Sequence, residues 1–533
     1  MVEQIIQNYD LITASLPGLA VLLSAAGAFS LPIIQILVKN RRFWELLTVI
    51  VTGSVMILTY RLLFAVANVG KPLVYTFGGW PPPVGIVYEV DMFGALLGVV
   101  VSSIMFLVAI YSIKYLEFDD GVQWYYTLFM GLEAGMLGCI YTGDFFNLFV
   151  MIEVTAVSAY ALVAFRRYDR IAIEAAMKYA IFGALATTMY FTAVIFAYGS
   201  LGTLNMADMA LKLGKVEVPV TGLPFGIVHY GMALFIVFAL WSFTFKAALF
   251  PNHFWLPDAH AAAPSSISAL LSGLVVKVGV YAIARFLYTI FSASEAVASV
   301  RRIALLAIFV MGVFSAFLGA ILMFIQRDIK RLIAYSTILN IGYIAIGFGL
   351  GSTFGALAAT YHIVNHAVAK ALLFMAAGAY IHYAGTRDIE KLSGIGRAMP
   401  ITTLAFIIGA FSLAGIPPLN AFMSKFLLYG ALLATGILPL VAVVVIPSII
   451  AFLAYLKLVY TIFVKPLPKE YAEKKIKDHP LLTGPVVILA IACILLGIGA
   501  PYVINNYIWP ATKALMDWQS YTQAMLQIAQ KLP

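Results

Sequence analysis

The chain has 533 residues, of which 63% are hydrophobic and 11% charged, and its mean hydropathy is +0.98. Soluble globular chains carry about a quarter charged residues, so this composition excludes them and calls for an all-α polytopic membrane protein. The formal net charge of +9 is what lysine and arginine in short loops on one side of a membrane produce, and it gives no reason to expect nucleic acid as a partner.

The chain opens on MVEQIIQNYD, acidic rather than basic, and no small-residue cleavage pattern closes the first apolar run, so the first span is expected to be retained. Apolar runs of about 20 residues, the length that crosses a bilayer, predict spans at 13–38, 43–68, 91–113, 124–142, 144–165, 172–198 and 226–250. They continue at 264–289, 302–325, 329–350, 356–382, 400–434, 439–463 and 481–505, giving about fourteen transmembrane helices.

Lysine and arginine alternate between loops. One set holds Lys39, Arg41, Arg42, Lys114, Arg166, Arg167, Arg170, Arg327, Lys330 and Arg331, followed by Arg387, Lys391, Arg397, Lys465, Lys469, Lys474, Lys475 and Lys477. The other holds mainly Lys71, Lys212, Lys215, Arg301 and Arg302. The richer set is expected to be cytoplasmic, which puts both termini outside. Between the second and third spans KPLVYTFGGWPPPVGIVYEV predicts a hairpin on the outer face. KPLPKEYAEKKIKDHP at 465–480 reads as a cytoplasmic connector, and WPATKALMDWQSYTQAMLQIAQ after the last span as a short amphipathic helix on the surface or against a partner.

Two predicted spans are interrupted by proline beside a lysine. In WSFTFKAALFPNHFWLPD, Lys246 precedes Pro251; in FSLAGIPPLNAFMSKF, Lys425 follows Pro417 and Pro418. Interrupted helices in corresponding positions of two halves mark ion or substrate sites in transporters. Halves of five crossings each, in tandem, must be inverted in the membrane. The expected organisation is therefore 1–123 with the first three spans and the hairpin, 124–298 as one five-helix repeat, 299–464 as its inverted partner, and 465–533 with the connector, last span and tail.

Ionisable residues inside apolar spans cost at least ~2.5 kcal/mol each, and a chain carrying several is expected to move charge. The candidates are Glu153, Lys246, Lys277, His362, His366, Lys370 and Lys425, with Lys178 and Glu133 as weaker members. His362, His366 and Lys370 are spaced i, i+4, i+8 and so share one helix face. Glu133 and Lys178 also read as a structural ion pair, and Lys457, Arg61 and Arg285 as side chains that snorkel to the interface. His229 reads as a packing residue, and His253 and His260 as solvent-exposed in the loop after the break. Cys139 and Cys493 lie in apolar runs with no CxxC pair or Cys/His ligand spacing, so no cofactor or metal is expected in this chain.

The runs TGDFFNLFVMIEVTAVSAYAL, FKAALFPNHFWLPDAHAAAPSSISALLSGLVVKVGVYAIAR, QRDIKRLIAYSTILNIGYIAIG, YHIVNHAVAKALLFMAAGAYIH and LAGIPPLNAFMSKF occur in that order from about residue 75 to about 465. They resemble the antiporter-like subunits of respiratory complex I and of Mrp cation/proton antiporters, and are most similar to the MrpD type, including that of archaeal membrane-bound hydrogenases and sulfane reductases. The resemblance implies that Glu153 pairs with Lys246 at the helix break, that Lys277 links the halves, and that His362, His366 and Lys370 lead on to Lys425. Asn340 stands where the family often has glutamine, and Glu133 has no secure counterpart.

The function so implied is proton translocation, with sodium coupling left open, in the plasma membrane of a prokaryote. The subunit would sit among other membrane subunits, with soluble iron–sulfur or NiFe subunits in a redox-driven complex. The driver would be a ferredoxin-linked hydrogenase or sulfane reductase module, or an ion gradient in an Mrp antiporter. The inverted halves also permit an autonomous secondary transporter of an organic substrate.

Overall fold

The computed structural model describes residues 11–214, 228–473 and 476–529; Lys215, Lys474, Lys475 and the first ten residues lie outside them. The chain is mostly helical. In the first part run α1 (Leu11–Leu37), α2 (Arg41–Val69), α3 (Met92–Tyr115), α4 (Val122–Tyr141), α5 (Phe145–Val163), α6 (Arg170–Leu201), α7 (Val228–Lys246) and α8 (Ser265–Ala293). Then come α9 (Ala298–Phe324), α10 (Ile329–Gly349), α11 (Thr353–Ala384), α12 (Pro400–Ala414), α13 (Asn420–Leu433), α14 (Leu438–Val464) and α15 (Pro480–Ile498).

Among the described residues twelve helices are long and apolar enough to cross a membrane, against about fourteen expected spans. The difference lies in two places. Helix α4 has the length, 20 residues, but is not among the twelve. The predicted span 400–434 divides into α12 and α13, of 15 and 14 residues, because Gly415 at φ 94° and the prolines that follow stop the first helix.

Polar residues at span ends fix where helices start. The Asp91 carboxylate accepts from Gly94 N at 2.9 Å to cap α3, Asp144 accepts from Asn147 N at 2.7 Å to cap α5, and Asp328 caps α10 through Lys330 N and Arg331 N. Gly70, Gly202 and Gly385 close α2, α6 and α11 in the left-handed conformation that glycine adopts without penalty.

The hairpin expected between the second and third spans is present: β1 (Leu73–Thr76) pairs antiparallel with β2 (Val87–Val90), Leu73 opposite Val90. The tail forms α16 (Trp509–Met516) and α17 (Trp518–Ala529), which pack on the chain's own α3, hairpin and short helix Met206–Leu213.

Helices α8 and α11 form the centre, with α10 and α3 against them, and the apolar side chains that remain exposed lie mainly on the peripheral helices α1, α2, α6, α9 and α14. Glycine allows the closest approach. A Cβ at Gly342 would sit 2.6 Å from the Gly312 carbonyl, and one at Gly319 would sit 2.6 Å from Leu339 N, so α9 and α10 touch through backbone.

Candidate functional site

Helix α7 ends at Lys246, and the chain then turns through an irregular segment into the short helix Trp255–Ala262. The turn is tied down by Trp255, whose indole N–H donates to the Phe245 carbonyl at 3.0 Å and whose ring stacks on Tyr179 at 3.9 Å. Asn252 adds a 3.0 Å hydrogen bond to Thr244 Oγ1. Lys246 is thereby held in the interior, where its Nζ donates to Tyr160 Oη at 3.4 Å.

Beside it lies a cavity of about 10 Å³, lined by Thr155, Tyr179, Lys246 and Val278 among others, with room for one water. Glu153 is half-buried on α5, its Oε1 finds no partner, and no ion pair within 4.0 Å joins it to Lys246 among the described residues.

The buried ionisable side chains of α8 and α11 meet at Lys277 and His366. Lys277 on α8 donates to its own helix at the Ser272 carbonyl, 2.5 Å away, and its Nζ lies 2.6 Å from His366 Nδ1 on α11. His366 Nε2 has no partner, and its ring faces that of His362 at 6.2 Å. His362 is held on both sides, Nδ1 by Ser424 Oγ at 2.8 Å and Nε2 by Asn340 Oδ1 at 3.1 Å. Lys370 donates to the Ile333 carbonyl at 2.8 Å and to Ser336 Oγ at 2.6 Å, and Ser336 in turn meets Tyr455 Oη at 2.5 Å.

At the second break Lys425 turns back toward the end of α12. Its Nζ donates to the carbonyls of Leu413 at 2.7 Å and Ala414 at 3.2 Å, and to Ser448 Oγ at 3.2 Å. Gly415 makes room, since a Cβ there would meet Lys425 Cδ at 3.2 Å. Among the described residues the ion pairs involve none of Lys246, Lys277, Lys370 and Lys425. Carbonyls, hydroxyls and imidazole take the place of counter-ions. Such groups hold an ammonium without an opposing charge, and of them only the hydroxyls and the imidazole can both accept and give a proton.

Several sequence expectations need correction. Lys178 is not enclosed: its side chain is 47% exposed and pairs with Glu174 at 2.7 Å and Asp258 at 3.5 Å, because it sits near the start of α6. Glu133 is fully buried but meets Ser24 Oγ at 2.7 Å, so the two do not form an ion pair. Arg285 does not snorkel. It is 1% exposed and forks onto Asp91 with hydrogen bonds of 2.7 and 2.9 Å.

His260, expected in solvent, is buried with both ring nitrogens unpartnered and its ring stacked 4.6 Å from Phe374. Lys330, read as a loop cation, is also buried and donates to the Ala263 carbonyl. Both belong with the central series, and the apolar run AHAAAP after the break was the signal for His260.

Residues 142–451 match the family described as NADH:quinone oxidoreductase/Mrp antiporter, TM. The chain is similar to NADH-quinone oxidoreductase subunit N of Desulforudis audaxviator, 32% identical over 456 residues covering 82% of this chain and 87% of that protein. It is similar also to the D-type subunit of the Na(+)/H(+) antiporter of Alkalihalophilus pseudofirmus, 30% identical over 456 residues, 85% of this chain and 88% of that one.

Among solved structures it superimposes on a chain of the membrane-bound sulfane sulfur reductase, an archaeal respiratory membrane complex, with TM-score 0.87, 30% identity and coverage of 96% and 99%. A chain of the Mrp complex from Dietzia sp. DQ12-45-1b gives TM-score 0.84 at 25% identity, with coverage of 97% and 100%.

Proposed function

We propose, for a chain that belongs to the NADH:quinone oxidoreductase/Mrp antiporter membrane family as an MrpD-like subunit, that it carries protons across the membrane through the buried series from Glu153 to Lys425. The observation that carries this reading is the 2.6 Å contact between Lys277 and His366, which joins the α8 and α11 sides with no carboxylate intervening. A proton enters at Glu153 and Lys246, passes by water to Lys277, then by imidazole to His366 and His362, and leaves by Lys425, with Lys370 as a side station. An ionisable chain of this kind in a span marks a proton relay, and a pocket for an organic solute would have no use for cations strung between two halves.

In this reading α4 and the interrupted pair α12 and α13 also cross, giving fourteen crossings, with α4 to α8 and α9 to α14 as inverted repeats. The basic loops face the cytoplasm and both termini face outward, in a prokaryotic plasma membrane. The subunit works among other membrane subunits. Its driver is a ferredoxin-linked hydrogenase or sulfane reductase module with iron–sulfur or NiFe subunits, or an ion gradient in an Mrp antiporter.

The test has two arms. The chain is tagged and extracted gently from its native membrane, and copurifying subunits and bound nickel and iron are identified. Proton uptake by the reconstituted assembly is then compared for parent, Lys246→Ala and Glu153→Gln. Loss of transport in both variants, with assembly intact, is expected; parent-level transport in either overturns the relay as drawn.

A further inference from the structure

Glu89 on β2 is fully buried at the hairpin face, and neither carboxylate oxygen has a hydrogen-bond partner. Its charged neighbours are one other carboxylate, Asp91, and one guanidinium, Arg285, already committed to each other by two hydrogen bonds. Tyr281, whose hydroxyl accepts from Arg285 Nε at 3.3 Å, and Tyr521 of the docked tail, whose ring lies 5.0 Å from the guanidinium, complete the group. Burial holds the Glu89 carboxyl well above the usual carboxylate range, with Arg285 offsetting part of this and Asp91 adding to it. Burial favours the neutral acid in such a place, and neither of its oxygens has a structural hydrogen bond to make.

Two further orphaned groups lead inward. Glu133 Oε1 and Tyr141 Oη, both buried and eight residues apart on α4, have no partner. Side chains on a helix lean toward its N-terminus, so the Tyr141 hydroxyl is carried back toward Glu133. It lies within electrostatic range of both Glu133 and Tyr281, and it fills the space left by Gly98, where a Cβ would be only 2.0 Å away. Outward, Asp91 lines a cavity of about 300 Å³ together with Lys71, Lys513 and Asp517, on the same face as the hairpin. Through Tyr281, which neighbours Tyr141 and bonds Arg285, buried polar groups lead from Glu133 toward Asp91 and that cavity.

We propose that Glu89 is a proton-transfer group serving the outer, hairpin face, fed from Glu133 through the Tyr141 hydroxyl and emptying into the cavity beside Asp91. The proposal rests on the proton-translocation reading above. In the step itself Glu89 gives its proton to cavity water, leaving a carboxylate that Arg285 faces. The carboxylate is refilled by one proton passed from Glu133, the Tyr141 hydroxyl giving one proton and taking one. No electron moves.

The test uses the native complex, carrying the full chain, in proteoliposomes with a pH-sensitive dye and whichever driver powers the parent. Four forms are compared: parent, Glu89→Gln, Tyr141→Phe and Lys246→Ala. The expected result is at least a tenfold loss of proton movement in Glu89→Gln and a smaller but clear loss in Tyr141→Phe, with the complex assembled. In infrared difference spectra, Glu89→Gln removes a carboxylic acid C=O band of the parent that shifts in deuterium oxide.

Parent-level transport in Glu89→Gln, with Lys246→Ala inactive, overturns the Glu89 branch and leaves the main reading standing. Parent-level transport in Lys246→Ala overturns the main reading instead. Should Glu89→Gln not assemble, Tyr141→Phe decides, and parent-level transport in it overturns the proposal.

Discussion

Lys277 Nζ lies 2.6 Å from His366 Nδ1, and this contact joins the buried ionisable groups of α8 to those of α11. Lys277→Met keeps an unbranched side chain, one atom shorter, and removes the ammonium. The α8 segment is wholly buried, so a flexible apolar side chain is tolerated there. Proton movement should fall at least tenfold while assembly, read by gel filtration of the detergent extract, stays at the parent level. Unchanged transport would mean that protons do not cross at this link.

The fork between Arg285 and Asp91 is a buried ion pair, 1% and 2% exposed. Removing one partner leaves an unpaired buried charge, which costs about 3–5 kcal/mol. Asp91→Ala should therefore lower the thermal midpoint of the purified complex well below the parent's, and it also removes the cap of α3. Replacing both partners, Asp91→Leu with Arg285→Met, should recover much of the loss, since an apolar pair does not strand a charge. A double variant no better than Asp91→Ala would count against this account.

The lysines of the candidate site were legible because each interrupts an apolar run, and hydropathy registers an ionisable residue wherever it falls. Their partners were not legible. Asp91 and Arg285 are 194 residues apart, so nothing local in the sequence says that Arg285 turns inward rather than toward the interface. Lys178 misled for the opposite reason: the hydropathy of α6 averages over all sides of the helix, whereas Lys178 occupies an exposed one beside Glu174. His260 was missed because its eight-residue helix is too short to register as a span, yet α11 covers it through Phe374. The hairpin was legible from its Gly and Pro punctuation, which local backbone chemistry alone dictates.

Lys178 gives a negative prediction. Its ion pairs are exposed to solvent, which screens them, so they add little to stability. Lys178→Ala should leave proton movement within about twofold of the parent and shift the thermal midpoint little. A severe transport loss, comparable to that of Lys246→Ala, would return Lys178 to the relay.

The contact of α9 with α10 makes a prediction about packing. A Cβ at Gly342 would stand 2.6 Å from the Gly312 carbonyl and 2.7 Å from Ala316 N, both backbone atoms that cannot swing aside. Gly342→Ala should therefore destabilise by about 1–3 kcal/mol, the usual cost of overpacking a close helix contact. Gly484, with nothing near its Cβ position, is the control on α15. Thermal unfolding of both variants in one detergent checks it, and equal midpoints would refute the close packing.

On the basic face, Glu117 offers a pH test. Partial burial pushes its carboxyl up, but hydrogen bonds and charge from Lys114 at 2.5 Å and His382 at 2.9 Å outweigh this and leave it below the ordinary range. A carboxyl depressed in the folded state contributes stability that is present above its unfolded value and lost as pH falls through the folded one. The parent should thus lose stability on acidification below about pH 4, where ordinary glutamates take up protons. Glu117→Gln, which has no proton to gain, should be less stable at neutral pH and show a flatter acid limb. Parallel acid limbs in thermal scans of the two would show that Glu117 is not the group titrating. The contact matters beyond stability, because it joins the end of α3 to the end of α11, the helix that carries His362, His366 and Lys370.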